Sequence, residues 1–379
     1  MAGHRLTEAT RVADVAAIRR RYGDAAAVLV ETTLLRRRAA AKFNAGQASG
    51  WLFTDEALQQ ATAAPVARHR ARRLAGAVVH DATCSVGAEL AALRATADRV
   101  IGSDIDEVRL AMARHNLGAE VSPCPQGAET VLCRADALAP ITRDAVVVLD
   151  PARRSGGRRR FDPRAYTPPL DALLEVYRGR ATVLKCAPGI DFEAVRRLGF
   201  DGEIEVTSSG GSVREACLWS VPLAEEGVRR RASLLDRDEQ LTDREPDDCG
   251  VGAPGRWIVD PDGAVVRAGL VRQYAARHGL WQLDPDIAYL TGDRVPDGVR
   301  GFAILEQIPF REKAVRQALS RHDCGPLEIL VRGVDVDPDA LRARLRPRGS
   351  RPLSLVVTRI GTDAAARRLA FVCSAGSDG

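Results

Sequence analysis

The chain has 379 residues, 45% hydrophobic and 28% charged, with a formal net charge of +5. That is enough apolar content to fill two or three domain cores beneath a charged surface. No uninterrupted apolar run approaches the roughly 18 residues of a membrane span, and "MAGHRLTEATRVADV" lacks the apolar stretch of a secretory signal. No membrane partner and a cytoplasmic location are therefore expected. The eight cysteines are scattered without a C-x-x-C pair, which suits reduced thiols, and no metal site is expected.

Of the 55 basic residues only Lys42, Lys185 and Lys313 are lysine. The arginines cluster at 19–21, 36–38, 68–73, 153–160 and 342–351, a pattern that suits either solvated faces or a phosphate backbone.

In chain order, "RVADVAAIRRRYG" and "AAAVLVETTLLRRRAAAKF" carry apolar stripes at helical spacing. "TDEALQQATAAPVARHRARRLAG" predicts one helix from a cap at Thr54 to Gly76. From about residue 76 strands and helices alternate: "AVVHDA", "GAELAALRATA", "DRVIGSDID", "EVRLAMARHNLG", "ETVLCRADA", "DAVVVLD", "PPLDALLEVYR" and "RATVLKCAPG". Near-continuous apolar strands between helices predict a parallel sheet wrapped by helices. "GEIEVTSSGG" and "VREACLWSVP" follow as a terminal antiparallel hairpin. After a polar interval near 225–255, "AVVRAGLVRQYAARHGLWQLD" predicts a helix. The last stretch, from about 297, predicts β-α-β-α-β-β, a small α+β sandwich. On its second helix Arg342 and Arg346 are expected to share a face at i, i+4, with Arg348 and Arg351 following in the loop.

The chemistry concentrates at strand ends. "HDATCSVGAEL" places Asp81, Thr83, Ser85 and Gly87 between a strand and a helix, where open α/β sheets bind ligands. Asp104 ends the next strand, where an acid can accept from ribose hydroxyls, and Asp106 suits a helix cap. Asp136 follows the third strand, and Asp150-Pro151 ends the fourth, with Arg153, Arg154 and Arg158 to Arg160 close behind. Lys185 ends a strand on the same side, where it reads either as a site residue or as a carboxylate's partner. Cys186 beside it reads as a buried strand cysteine rather than a nucleophile.

The series "DATCSVG", "GSDID", "RADAL" and "LDPARR" resembles the motifs of class I S-adenosylmethionine-dependent methyltransferases. With "LFTDEALQQATAAPVARHRARR", "LKCAPGID" and "LVRGVDVDPDALRARLRPRG" the chain is similar to a bacterial group of RNA methyltransferases with a C-terminal THUMP-like domain. The resemblance implies a Rossmann-like core and S-adenosylmethionine as cofactor. It implies that Asp81, Thr83, Ser85 and Gly87 hold the methionine part, Asp104 the ribose and Asp136 the adenine, while Asp150 faces the methyl group. Asp150, Arg153 and Lys185 are the candidate catalytic residues; Arg153, Arg154, Arg342, Arg346, Arg348 and Arg351 are the candidate RNA contacts. Where many base-amine methyltransferases have Asn/Asp-Pro-Pro-aromatic, this chain has Asp-Pro-Ala-Arg, which leaves the acceptor atom open.

The expected parts are an N-terminal helical domain (1–75), a methyltransferase domain (76–225), a linker or accessory segment (226–296) and the THUMP-like domain (297–379). The expected activity is methyl transfer to a transfer or ribosomal RNA. The alternatives are a small-molecule methyltransferase, or an RNA-binding protein on a vestigial methyltransferase fold.

Overall fold

The structure, a computed structural model, describes residues 5–118, 129–153, 166–361 and 366–378. It divides into two compact units, Met1–Ile204 with Arg214–Glu225, and Glu205–Val213 with Glu226–Gly379.

The first unit opens with helices α1 (Arg11–Tyr22), α2 (Ala26–Ala39), α3 (Ala45–Gly50), α4 (Asp55–Gln60) and α5 (Ala64–Arg73). The single helix expected over 54–76 is thus two. It starts as expected, with the Thr54 hydroxyl accepting from the Ala57 N–H at 3.1 Å. It breaks because Pro65, in the first turn of α5, has no N–H to continue the ladder and disfavours helix just before it. Phe43, Trp51 and Phe53 pack with ring centroids 5.2–5.9 Å apart, the two phenylalanines stacked and Trp51 tilted against both. They share a buried cluster with Ala57, Leu58 and Val86, so the helical layer packs directly on the loop after the first strand.

The alternating series then runs β1 (Val78–Asp81), α6 (Ala88–Leu93), β2 (Arg99–Asp104), α7 (Glu107–Asn116), β3 (Glu129–Arg134), β4 (Val146–Leu149), β5 (Ala152–Arg153), β6 (Tyr166–Thr167), α8 (Leu170–Val176), β7 (Thr182–Cys186), α9 (Phe192–Arg197), β8 (Glu203–Ser209) and β9 (Ser212–Trp219). In this unit the strand order is β3-β2-β1-β4-β7-β9. The first five are parallel, and β9 runs antiparallel to β7. Chain order reverses between β1 and β4, which opens a crevice beyond their C-terminal ends. All four residues of β4 are buried, as its unbroken apolar run requires. Gly102 in β2 is needed for packing: a Cβ there would lie 2.5 Å from Leu90 of α6 and 2.7 Å from Leu132 of β3. The turn between β8 and β9 is Gly210-Gly211, both at positive φ, as the "SSGGS" stretch predicts.

The second unit contains β10 (Arg230–Leu234) and β11 (Glu239–Thr242), paired antiparallel. A further sheet is built from β12 (Trp257–Val259), β13 (Trp281–Asp284), β14 (Ile287–Gly292), β15 (Arg300–Pro309), β16 (Cys324–Arg332), β17 (Arg351–Ile360) and β18 (Arg367–Ser374), in the order β13-β14-β12-β15-β18-β17-β16. β16 and β17 are parallel and the other neighbours antiparallel. The helix expected over 264–284 is instead α10 (Gly263–Ala268), α11 (Val271–His278) and then strand β13. The breaks fall at Gly269 and Gly279, both left-handed. α12 (Glu312–Arg321) and α13 (Pro338–Leu345) pack through Val315, Leu319, Leu341 and Leu345 against β15 to β18. α13 ends at Leu345 and Arg346 takes a left-handed conformation (φ 46°). Arg342 and Arg346 therefore do not share a helical face.

Candidate active site

Beyond the C-terminal ends of β1, β2 and β4 lies a cavity of about 500 Å³, a size suited to a small-molecule ligand. Asp81, Thr83, Ser85, Asp104, Asp136, Asp150 and Lys185 all line it. Four strand ends thus converge where the sequence placed four acids. The walls are latched to one another. Thr83 N–H donates to Asp81 at 3.1 Å, and the Asp150 N–H donates to the Thr83 hydroxyl at 2.7 Å. Asp104 accepts from the Ser85 N–H and the Asp106 N–H, both at 2.9 Å, leaving each oxygen a second lone pair. Asp106 caps α7 as expected. Gly87 does not line the cavity; it caps α6 in the left-handed region at φ 83°, which favours glycine, and a Cβ there would touch Ala113 of α7 and the adjoining Leu117 at 3.4 Å.

Behind the cavity the sheet carries a buried charge cluster that the sequence did not reveal. Arg70 of α5, 1% exposed, forks onto Glu89 of α6 at 2.8 and 3.1 Å and also reaches Glu215 of β9. Lys185, also buried, donates to Asp150 and to the Thr62 hydroxyl, and its ammonium stands 3.8 Å from Glu89. Lys185 thus partners a carboxylate and lines the cavity. Burial alone would lower its pKa, but Asp150 and then Glu89 outweigh that and raise it above the usual lysine value. Glu89 is likewise held below the usual carboxylate range by Arg70 and Lys185 against its burial. Among the described residues Asp81 has no ion pair with a cation; burial, with Glu89 adding, pushes it up to about 8.

Glu56, Gln60, Thr62 and Arg109 also line the cavity, and Arg109 pairs with Glu56 at 2.9 Å. The sequence signals for Glu56, Gln60 and Thr62 are the Thr54 cap and the resemblance carried by "LFTDEALQQATAAPVARHRARR", and neither shows what α4 faces. Arg70 sits inside one of the arginine clusters with nothing to separate it from its neighbours. Among the described residues no aromatic side chain lines the cavity. The backbone of Arg153 lies in β5, paired with Tyr166 of β6. Its side chain, like Arg154 and Arg158 to Arg160, lies outside the described residues.

On the second unit a groove is lined by Arg316, Arg344, Arg346 and Arg348, with Glu312 and Asp323 also present. Arg344 pairs with Glu312 at 2.8 Å, whereas Arg346, Arg348 and Arg351 are exposed. Arg342 is outside the groove, bonded to the Leu327 carbonyl at 2.8 Å and to Asp339.

The carboxylate-rich lining suits a cofactor that carries a cationic sulfonium and ribose hydroxyls. Comparison with known proteins agrees. Residues 299–375 match the THUMP domain-like family. A solved structure of a putative methyltransferase from Porphyromonas gingivalis W83 superimposes with a TM-score of 0.74 at 21% identity, covering 93% of this chain and 90% of that one, a likeness of fold. Two uncharacterized S-adenosylmethionine-dependent methyltransferases of Mycobacterium tuberculosis, from strains CDC 1551 / Oshkosh and H37Rv, are each 68% identical over 361 residues, 94% of this chain and 99% of theirs. The chain belongs to the S-adenosylmethionine-dependent methyltransferases, enzymes that take their methyl group from that cofactor.

Proposed function

We propose that this methyltransferase acts on RNA, a transfer or ribosomal RNA, in the cytoplasm. The observation that carries the reading is the exposed trio Arg346, Arg348 and Arg351 beside the groove of the unit that matches the THUMP domain-like family. Arginine forks exposed along one edge suit phosphate oxygens. The cytoplasmic location is supported by the seven described cysteines, all free thiols. In this reading the chain works as four parts, 1–75, 76–225, 226–296 and 297–379, the second carrying the chemistry and the last gripping RNA. Arg153 and Arg154 remain candidate grips beside the site.

The cofactor would be held by the cavity's own donors and acceptors. Asp104 offers its free lone pairs to ribose hydroxyls and Asp136 its carboxylate to the adenine. Asp81, Thr83 and Ser85 line the end assigned to the methionine part, with Gly87 setting the loop behind them. When bound, S-adenosylmethionine supplies an electrophilic methyl group, so the protein has mainly to align the acceptor and exclude water. Asp150, its side chain 37% exposed toward the cavity, orients the acceptor or takes its proton. Lys185 stays protonated and serves as the counter-charge that fixes Asp150, not as a base.

The test is mass spectrometry of RNA nucleosides from cells with and without the gene. Loss of one methylated nucleoside in the deletion strain, restored by the wild-type gene and not by an Asp150→Ala copy, is expected. An unchanged nucleoside profile would overturn the RNA assignment.

A further inference from the structure

Lysine is rare in this chain, yet two of its three lysines meet beside the cavity. Lys42, just past α2, donates to the carbonyls of Leu58 at 2.7 Å, Gln59 at 2.7 Å and Ala61 at 3.0 Å. Its own carbonyl accepts from the Ala64 N–H at 2.9 Å. Those carbonyls belong to the end of α4, where no intrahelical partner exists, and a compact ammonium with three rotatable donors can serve all of them. An arginine fork is planar and cannot converge on three such acceptors. Immediately after them Thr62 receives the Lys185 ammonium, which also holds Asp150. The two lysines therefore fasten the α4–α5 turn from both sides and carry it to the strand end where Asp150 stands.

The lining of the cavity gives this turn a purpose. Glu56, Ala57, Gln60, Ala61 and Thr62 share the cavity with Asp150, Ala152, Thr167 and Pro168. Among the described lining residues the acids are Glu56, Asp81, Glu89, Asp104, Asp136 and Asp150, and the cations are Arg109 and Lys185. Acids outnumber cations there, which disfavours a phosphate and admits an uncharged group. Neutral polar groups of the same cavity include the exposed Gln60 amide and the Thr62, Thr83 and Thr167 hydroxyls; Thr62 is tied to Asp150 through Lys185, and Thr83 accepts from the Asp150 N–H. An amide and hydroxyls match the uncharged hydrogen-bonding edge of a nucleobase.

We propose that the segment Glu56–Thr62, fastened by Lys42 and Lys185, is the wall that receives the acceptor base, with Gln60 reading its edge and Thr62 a positioning residue acting through Lys185 on Asp150. The proposal deepens the RNA reading and rests on it for the identity of the acceptor. The N-terminal helices then belong to the acceptor site itself.

The experiment supplies two acceptor probes from a strain lacking the gene, total RNA and the small-metabolite extract, each with tritiated S-adenosylmethionine. Wild type is compared with Gln60→Ala, Thr62→Val, Thr62→Ser and Lys42→Met, and cofactor Kd is measured by calorimetry on every variant. Gln60→Ala, an exposed change, is expected to raise the acceptor KM about fivefold with cofactor Kd unchanged. Thr62→Val should lower kcat about tenfold, and Thr62→Ser should restore it. Lys42→Met should show both defects if it folds; Gln60→Ala keeps the test open if it does not. Labelled RNA with wild-type kinetics in Gln60→Ala and Thr62→Val would overturn the wall and leave the RNA reading standing. Labelled metabolites with these defects present would overturn the RNA reading and keep the wall. No labelling of either probe would overturn both.

Discussion

In α5, Arg70 is 1% exposed and fully engaged by Glu89 and Glu215, while Arg73 forks onto Glu203 at 2.8 and 3.1 Å and lies 3.8 Å from the centroid of the Trp219 ring. After α13, Arg346 and Arg348 are exposed at a groove and Arg351 opens β17 into solvent. Both stretches are arginine clusters of similar density in the sequence, "RHRARR" and "RLRPRGSR". In the first, Arg70 and Arg73 are internal scaffolding that fixes buried acids, while Arg68 and Arg72 face solvent; the second keeps most of its charge available for an outside partner. Arginine density therefore says little until burial and carboxylate partners are known. Phosphate is a fitting partner for the exposed arginines, not for Arg70 or Arg73.

The sharpest way to break this contrast is to remove one arginine from each cluster. Arg70→Met would leave Glu89 and Glu215 buried without their main counter-charge, which costs about 3–5 kcal/mol. Arg348→Gln should change stability by no more than about 0.5 kcal/mol. Urea denaturation of both variants checks this, and equal effects would remove the distinction. RNA binding sharpens it from the other side. Replacing Arg346, Arg348 and Arg351 together by Gln should lower affinity for a folded RNA about tenfold or more and flatten its salt dependence, since each neutralised phosphate releases counterions. A filter-binding titration across salt concentrations that gave an unchanged slope would make this edge mere surface.

A smaller effect concerns Asp81. Its folded-state pKa, near 8, is raised above its unfolded value. The stability it contributes is therefore fully present below about pH 4 and is lost as pH rises through about 8. Relative to Asp81→Asn, the wild type should lose about 1 kcal/mol between pH 6 and 8, a figure reduced for water entering an open cavity. Thermal melts of both proteins across that range would show the difference; parallel curves would mean that Asp81 is ionised throughout.

The core of the fold could be read from the sequence because its signals are local. The unbroken apolar run of "VVVLD" demands burial on both faces, and each strand-end acid stands at or just beyond the end of a predicted strand. Asp81, Asp104, Asp136 and Asp150 come together in the cavity as those positions imply. Glu89, Arg70 and Glu215 were not legible, because their pairing joins residues 19 and 145 apart. The helix breaks at 61–63 and Gly269 were missed because periodicity continues across them, and one proline or one left-handed glycine overrode it. Gly87 belongs to a recognisable loop, yet what it does is take the left-handed turn that opens α6, away from the cavity lining, which spacing alone does not show.

The most direct measurement concerns Asp150, the acid that ends β4 and is held by Lys185. Cofactor affinity and single-turnover methyl transfer should be measured together on wild type and Asp150→Ala, with total RNA from a strain lacking the gene as acceptor. Affinity is expected to stay within about threefold while transfer falls about 100-fold or more, as for loss of a group that positions or deprotonates the acceptor. Full transfer by Asp150→Ala would show that this carboxylate only terminates its strand, and the acceptor end of the site would have to be placed elsewhere.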